Sequence, residues 1–200
     1  MADETVGRRE RKKRATRQAI RRAALELALD RGVENLTIEE ISETADVAPR
    51  TFFNYFSCKE DALVGESPEA RQEIREAIAA RPADEPPLET LRAVLKDIAV
   101  THTEHEHREE AVLRQRLVDG NPVLLPRQLA RYATFEQLLA ETMAERTGTD
   151  PERELRPALL AAVGVMACRV AIKHWAEGNG RPVGELIDEA FDLLEGGLSG

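Results

Sequence analysis

Apolar residues recur at intervals of three to four positions along most of the chain, which is the spacing of one face of an α-helix. The first segment of this kind runs from Arg14 to Arg31, and Gly32 after it can adopt the left-handed conformation that ends many helices. Two shorter segments, 38–45 and 49–55, follow with a turn of three or four residues between them. The pattern therefore predicts one longer helix followed by two short helices in tight succession.

Capping signals support the two short helices. Thr37 with Glu40 three residues later forms a capping box, and Pro49 suits the first position of a helix because its missing N–H needs no partner there. Ser57, with Glu60 three residues later, is a capping candidate for the next helix. Two short helices joined by a tight turn form a helix-turn-helix, whose second helix enters the major groove of DNA.

The rest of the chain is also predicted to be helical. Strong helix breakers separate the remaining segments, whose predicted bounds are 58–65, 67–80, 88–107, 108–119, 123–146, 152–177 and 184–195. Residues 81–87, RPADEPP, are predicted to be a linker. The apolar run 158–172 must be buried on most sides, either in the core of a bundle or against a second subunit.

This pattern predicts an all-α protein with three parts. Residues 1–13 form a basic arm, and 14–66 form a three-helix DNA-binding domain with its helix-turn-helix motif at about 37–56. Residues 67–200 form a larger helical bundle. Strands are not predicted in any of the three parts.

Four of the eight aromatic residues of the chain lie in the stretch APRTFFNYF, within positions 52–56. Phe52 and Phe56, four residues apart, share a helix face and can fill a small core. The expected partners in this core are Ile20, Leu27, Leu36, Ile41 and Val47. The aromatic residues are therefore explained in part as the centre of a very small helical domain.

The opposite face of the same helix presents Arg50 and Asn54, flanked by Thr51 and Tyr55. An arginine can bind a guanine edge or a phosphate, and an asparagine can bind an adenine edge or a phosphate. The two hydroxyl groups suit backbone oxygens of DNA, which position a protein without reading sequence. This face is the predicted DNA-reading surface.

The distribution of charge supports DNA binding although the net charge is −9. Residues 1–22 carry nine arginines and lysines against three acids, a net charge of +6, so the remaining 178 residues carry −15. A basic arm on an acidic body confines the binding of polyanions to one face. The alternative is that the basic run is a solvated tail.

The composition also narrows the class of protein. The chain lacks both the long uncharged apolar run of a membrane helix and the apolar stretch of a signal peptide, so a cytoplasmic protein is expected. Cys58 and Cys168 lie in neither a redox nor a zinc motif and are expected to be reduced thiols. Phosphate-binding loops and hydrolase elbows are missing as well, which argues against an enzyme.

The segment TIEEISETADVAPRTFFNYFSCKEDAL (37–63), preceded by RKKRATRQAIRRAALELALDRG, resembles the TetR family of bacterial transcriptional regulators. The resemblance implies a homodimer, usually a repressor, whose two N-terminal domains read a palindromic operator. It also implies dimerisation through the last two long helices, a small-molecule effector pocket in the larger domain, and no cofactor. Many relatives have Ser or Thr where this chain has Ala48, which gives up a side-chain cap worth about 1 kcal/mol.

The resemblance also assigns DNA contacts by position. They are Arg11, Lys12, Lys13, Arg14, Arg17, Thr37, Pro49, Arg50, Thr51, Phe53, Asn54, Tyr55 and Lys59. The C-terminal part is similar to an actinobacterial subgroup that includes the mycofactocin-system regulator, some of whose members respond to acyl-CoA. Apolar candidates for the effector pocket are Leu95, Ile98, Leu113, Leu117, Phe135, Leu138 and Met166, all of which core packing would explain equally well.

Two other functions account for part of the sequence. His102, His105 and His107 lie close together among glutamates and could hold a divalent metal, although a solvated helix end explains them better. A helical interaction protein that binds no DNA could use the basic arm to dock an acidic partner or a membrane surface. That alternative does not explain Arg50 and Asn54 projecting from a short helix behind a tight turn.

Overall fold

A computed structural model describes residues 2–65, 68–105, 108–150, 153–178 and 180–197, and within these ranges the regular elements are all helical. The α-helices are α1 Ala2–Arg31, α2 Ile38–Thr44, α3 Pro49–Phe53, α4 Lys59–Val64, α5 Pro68–Ala79, α6 Pro87–His105, α7 Arg108–Gly120, α8 Leu125–Thr147, α9 Leu155–Ala176 and α10 Val183–Gly196. Two short 3₁₀ helices span Val33–Asn35 and Pro122–Leu124. The all-α prediction is confirmed.

The helix bounds differ from the predicted ones mainly near the N-terminus. α1 is continuous from Ala2, so the described part of the basic segment, 2–13, belongs to the same helix as the segment that follows it. The N-cap of α4 is Cys58 rather than Ser57, whose hydroxyl donates to the carboxylate of Asp61. A serine one position earlier than the cap thus reaches a side chain in the first turn instead of a backbone N–H.

The chain divides into two compact units, the first formed by Met1–Glu66 with Leu117–Gln128 and the second by Ser67–Arg116 with Leu129–Gly200. The sequence pattern indicated one boundary near residue 66 and did not place 117–128 with the N-terminal helices. This segment belongs to the first unit because Val118 and Leu124 are buried in its core. Arg127 also pairs with Asp61 of α4 at 3.4 Å.

The core of the first unit is built around Phe52, which is fully buried. Of the partners expected from the sequence, Ile20, Leu36 and Ile41 are buried with it, and Leu27 and Val47 pack against the cluster while partly exposed. Phe56 lies 5.7 Å from Phe52 between ring centroids. The further buried members are Ala23, Ala24, Leu25, Ala28, Val33, Ala62, Leu63 and Val64. Residues of α1, α2 and α4 therefore hold α3 in place from one side.

The turn between α2 and α3 places Asp46 in the left-handed region, with φ of 53°. The N–H of Val47 donates to the carbonyl of Ser42 at 2.9 Å, and the N–H of Asp46 donates to the carbonyl of Glu43 at 3.1 Å. This pair of bonds is the Schellman arrangement, which satisfies the last carbonyls of α2 and prefers glycine at the left-handed position. The turn therefore forms here although an aspartate occupies that position.

Asp46→Gly is expected to be more stable than Asp46→Ala by about 1 kcal/mol, because only glycine adopts positive φ without a steric penalty. Urea unfolding of both variants at one fixed protein concentration measures the difference in the free energy of unfolding. Asp46 is exposed, so neither change removes a buried side chain. Equal stabilities would show that residue 46 does not need the left-handed conformation.

The core of the second unit lies where α6, α9 and α10 pack against one another. Gly164 of α9 permits close approach, since a Cβ there would lie 3.2 Å from Cδ1 of Leu95. At the surface of this contact, Arg92 of α6 donates to Asp188 at 3.0 Å and to Asp192 at 2.7 Å. The charged pairs hold α6 and α10 in register beside the apolar core.

The predicted linker 81–87 is an anchored connection between α5 and α6. The guanidinium of Arg146 donates to the carbonyls of Ile78 and Arg81, both at 3.2 Å. Glu85 accepts hydrogen bonds from Arg81 and from the hydroxyl of Thr90, and the bond from Arg81 lowers the pKa of Glu85 to about 2. The segment is therefore fixed by side chains, including Arg146, which donates to backbone carbonyls at and just after the end of α5.

α9 is apolar on two opposite faces. Its buried face includes Gly164, and its other face exposes Leu155, Leu159, Met166 and Val170, with 85%, 63%, 37% and 46% of each residue accessible. At 3.6 residues per turn these four positions fall within a stripe about 60° wide. By length and composition alone α9 could also cross a membrane, a test that core helices of globular proteins pass as well.

Candidate DNA-binding site

The surface of α3 away from the core carries the polar residues expected to read DNA. Pro49, Arg50 and Asn54 are exposed, whereas Thr51 and Tyr55 are half-buried. They occupy this surface because Phe52, on the opposite side of the helix, is fully buried. The structure thus brings these five predicted contact residues together on one short helix and its C-terminal end.

Phe53 is an exposed aromatic residue on this helix, with 57% of its surface accessible. Its ring meets Phe52 edge to face, with 5.7 Å between centroids. A phenylalanine held in this way offers an apolar surface such as the methyl group of thymine contacts. Its exposure suits the DNA contact that the resemblance assigns to it.

The N-terminus of α3 begins at Ala48, which provides no side-chain cap. The carbonyl of Ala48 accepts hydrogen bonds from the N–H groups of Thr51 at 2.7 Å and Phe52 at 3.3 Å. Pro49 at the first helical position has no N–H that would need a partner. The helix start is thus set by the backbone hydrogen bonds to Ala48 and by the proline at its first position.

Thr37 forms the predicted capping box. Its hydroxyl accepts from the N–H of Glu40 at 3.2 Å and donates to the Glu40 carboxylate at 2.7 Å. The hydrogen bonds from Thr37 lower the pKa of Glu40, and Arg31 adds an ion pair at 2.9 Å. In this structure the first role of Thr37 is to orient the start of α2.

Lys59, to which the resemblance assigns a DNA contact, is the first residue of α4. Its ammonium group donates to the carbonyls of Glu34 at 3.0 Å and Leu36 at 2.9 Å. These bonds fasten the start of α4 to the chain just before α2. The side chain stays half-buried, so this structural role is one that spacing in the sequence does not reveal.

The basic residues of α1 occupy two different environments. Arg11, Lys12 and Arg14 are exposed and Lys13 is half-buried, so this stretch presents positive charge on the helix surface. Arg17, three residues beyond Arg14, is only 7% exposed. The exposed cations Arg11, Lys12 and Arg14 therefore suit contacts with phosphates, which supply most of the salt-dependent affinity for DNA.

The candidate residues for the effector pocket are divided between the two units. Leu95 and Leu138 are buried in the core of the second unit, with Ile98 and Phe135 partly buried against it. Leu117 packs in the core of the first unit. The two others, Leu113 and Met166, are exposed. Four of the seven candidates are therefore gathered in one place, the core of the second unit.

The other candidates for chemistry are cysteines and histidines. Cys58 and Cys168 are free thiols, and burial raises the pKa of Cys168 to about 12. The side chains of His102, His105 and His107 lie outside the part of the chain whose side chains are described. Elsewhere in the described residues, no group of three or more His, Cys, Asp or Glu residues is arranged to hold a metal ion.

Comparison with known proteins identifies the family. Residues 20–64 match the family of bacterial regulatory proteins named tetR, and residues 85–199 match the MftR C-terminal domain. The chain is 36% identical to the HTH-type transcriptional regulator TcmR of Streptomyces glaucescens over 195 residues, covering 94% of this chain and 86% of TcmR.

Two further relatives support the same assignment. The mycofactocin biosynthesis transcriptional regulator MftR of Mycobacterium tuberculosis is 25% identical over 196 residues, covering 96% of this chain and 94% of MftR. The crystal structure of FadR from Thermus thermophilus, a TetR-family repressor in complex with lauroyl-CoA, is 25% identical with a TM-score of 0.53, covering 90% of this chain and 93% of FadR. This chain therefore belongs to the TetR family of bacterial transcriptional regulators and carries an MftR-like C-terminal domain.

Proposed function

We propose that this regulator is a cytoplasmic, homodimeric repressor, released from a palindromic operator by a lipophilic small molecule of the acyl-CoA class. The observation that carries the DNA-binding part is the exposure of Arg50 and Asn54 on a helix anchored by the buried Phe52. A guanidinium and an amide on one exposed helix face are the groups best suited to base edges in the major groove.

The homodimer is supported by the exposed stripe on α9. Leu155, Leu159, Met166 and Val170 are exposed apolar residues on one side of α9, and Leu193 of α10 is also exposed, with 53% of its surface accessible. A second copy of the chain can bury the same stripe about a two-fold axis, as most homodimers do. Dimerisation through α9 and α10 would then present two copies of α3, matching an operator with two half-sites about one helical turn, or ~34 Å, apart.

The remaining contacts fall to the first unit. Exposed Arg11, Lys12 and Arg14 bind phosphates or the minor groove beside each half-site, with Lys13 next to them on the same helix. Thr51 and Tyr55 donate hydroxyl hydrogen bonds to phosphate oxygens, which fix the register of α3. Thr37 and Lys59 are close in sequence to the residues of α3. They contribute to DNA binding by fixing the start of α2 and the start of α4.

Release by an effector requires two states of the dimer. A ligand that binds more tightly to a spacing of the two α3 helices unsuited to the operator shifts the dimer away from DNA. Moving the population from 1:99 to 99:1 takes about a 10⁴-fold preference for one state. The effector class is suggested by the lauroyl-CoA bound to the FadR relative, and the apolar residues Leu95, Ile98, Phe135 and Leu138 are candidates to line its site.

Lauroyl-CoA is expected to release the protein from labelled DNA taken from upstream of its own gene. Fluorescence anisotropy should fall with increasing lauroyl-CoA, and free coenzyme A at the same concentrations should leave the complex intact because it lacks the acyl chain. Acyl-CoAs with other acyl chain lengths would then show which length the pocket binds most tightly. Release by free coenzyme A would contradict an acyl-CoA effector, and so would a failure of acyl-CoAs of every chain length to release the protein. Neither result would argue against DNA binding itself.

A further inference from the structure

Arg17 differs from the basic residues that precede it on α1. Arg11, Lys12 and Arg14 are exposed, whereas Arg17 retains only 7% of its accessible surface. A charged side chain this deeply buried is rare in proteins unless other groups satisfy it. Its surroundings therefore define its role better than its place in a basic run does.

Three contacts of Arg17 lie at the C-terminal end of α3. Its guanidinium carbon lies 5.5 Å from the ring centroid of Tyr55 and 5.2 Å from that of Phe56, within the range of a cation–π interaction. Its Nη1 donates a hydrogen bond to the carbonyl of Tyr55 at 3.3 Å. One side chain from α1 thus contacts two consecutive residues through their rings and through the backbone.

This end of α3 carries residues of the DNA-reading surface. Asn54 is the C-cap of the helix, and the N–H groups of Tyr55 and Phe56 both donate to the carbonyl of Phe52, at 2.9 and 3.0 Å. A five-residue helix has little stability of its own, so its last turn needs support from outside. The position of Asn54 and Tyr55 therefore depends on what holds the chain at Tyr55 and Phe56.

We propose that Arg17 is a positioning residue for sequence-specific DNA binding, which orients Asn54 and Tyr55 and does not contact a phosphate. The inference rests on DNA recognition by α3. A planar guanidinium can lie over both rings while donating to the carbonyl, whereas a lysine ammonium cannot match this geometry. The shape of the side chain, rather than its charge, is what the site uses.

The first test needs no DNA. Amide hydrogen exchange at Tyr55 and Phe56 is compared by NMR in the wild-type protein, Arg17→Lys and Arg14→Lys. Arg17→Lys is expected to exchange about tenfold faster at these two amides, because the end of α3 opens locally more often. Arg14→Lys, exposed on the same helix, should match the wild type. Unchanged exchange in Arg17→Lys would overturn the proposal.

The second test uses operator DNA and separates positioning from phosphate contact. Arg17→Met and Arg17→Lys are both expected to lose about 10- to 100-fold in operator affinity and under about threefold on a scrambled duplex. The slope of log affinity against log salt should not change, whereas losing a phosphate contact would reduce it by about 0.9. A reduced slope in Arg17→Met with near-normal binding by Arg17→Lys would show a phosphate contact and overturn the proposal.

The two tests also separate this inference from the function on which it rests. Arg14→Gln serves as the contrasting variant, since loss of an exposed cation should reduce the salt slope and leave the ratio of operator to scrambled affinity nearly constant. If Arg50→Ala and Asn54→Ala both bind the operator normally, α3 is not the reading helix and the function fails. The exchange measurement still decides whether Arg17 holds the end of α3. If Arg17→Met does not fold, Arg17→Lys carries both tests.

Discussion

The double variant Leu159→Glu with Val170→Glu is expected to be monomeric and to lose tight operator binding. Both side chains lie on the exposed stripe of α9, where a second copy of the chain would bury them. Burying an uncompensated carboxylate costs several kcal/mol, so two per subunit should weaken the dimer far more than 100-fold. Sedimentation equilibrium should then give a mass near the 22.3 kDa of one chain.

Val123→Glu is the matched control for this prediction. Val123 is exposed to a similar degree, 41% against 46% for Val170, but belongs to the first unit and is not a residue of α9. Its replacement should leave both the mass of the dimer and operator binding as in the wild type. A double α9 variant that stayed dimeric would place the dimer interface on another surface.

Arg50→Ala and Asn54→Ala are each expected to reduce operator affinity about 5- to 150-fold, the effect of one lost base contact of ~1–3 kcal/mol. Both side chains are exposed, so the variants should keep the dimer and the unfolding temperature of the wild type. Affinity for a scrambled duplex should change much less. Anisotropy titrations on the two duplexes measure both quantities.

Gln72→Ala is the control for the recognition variants. Gln72 is exposed on α5 of the second unit and is not one of the residues of the DNA-reading surface. It should bind the operator as the wild type does. If Arg50→Ala and Asn54→Ala were both indistinguishable from Gln72→Ala, another surface of the protein would read the DNA.

The helix-turn-helix could be predicted from the sequence because its signals are local. The capping box at Thr37, the proline at the start of α3 and the spacing of Phe52 and Phe56 each act within one turn of helix. Such interactions depend on neighbours in the sequence. The presence and order of α2 and α3 can therefore be predicted from about twenty residues read by themselves.

The roles that the sequence did not reveal depend on contacts between distant segments. Lys59 bonds to carbonyls 23 and 25 positions away, and Arg17 bonds to a carbonyl 38 positions away. The resemblance assigns DNA contacts to both residues, yet in the fold Arg17 is buried and Lys59 is half-buried and bonded to backbone carbonyls. The packing of 117–128 with the N-terminal helices is of the same kind, since helical periodicity shows that Val118 and Leu124 are buried but not where.

The residues of the proposed effector pocket could not be predicted from the sequence for a different reason. Apolar residues that line a cavity and apolar residues that fill a core have the same helical spacing, so the sequence could not separate Leu95 and Leu138, which are buried in the core, from Leu113 and Met166, which are exposed. Only the packing of α6, α8 and α9 distinguishes them. The choice of pocket residues therefore needs the effector as well as the fold.

The most direct test of sequence-specific DNA binding is the affinity of the wild-type protein for the DNA upstream of its own gene, measured by anisotropy across a salt series. We expect affinity at least about 10³-fold above that for a scrambled duplex, with log affinity falling linearly as log salt rises. Equal and weak binding to both duplexes would contradict sequence-specific recognition at this site and would favour a basic arm that docks an acidic partner instead.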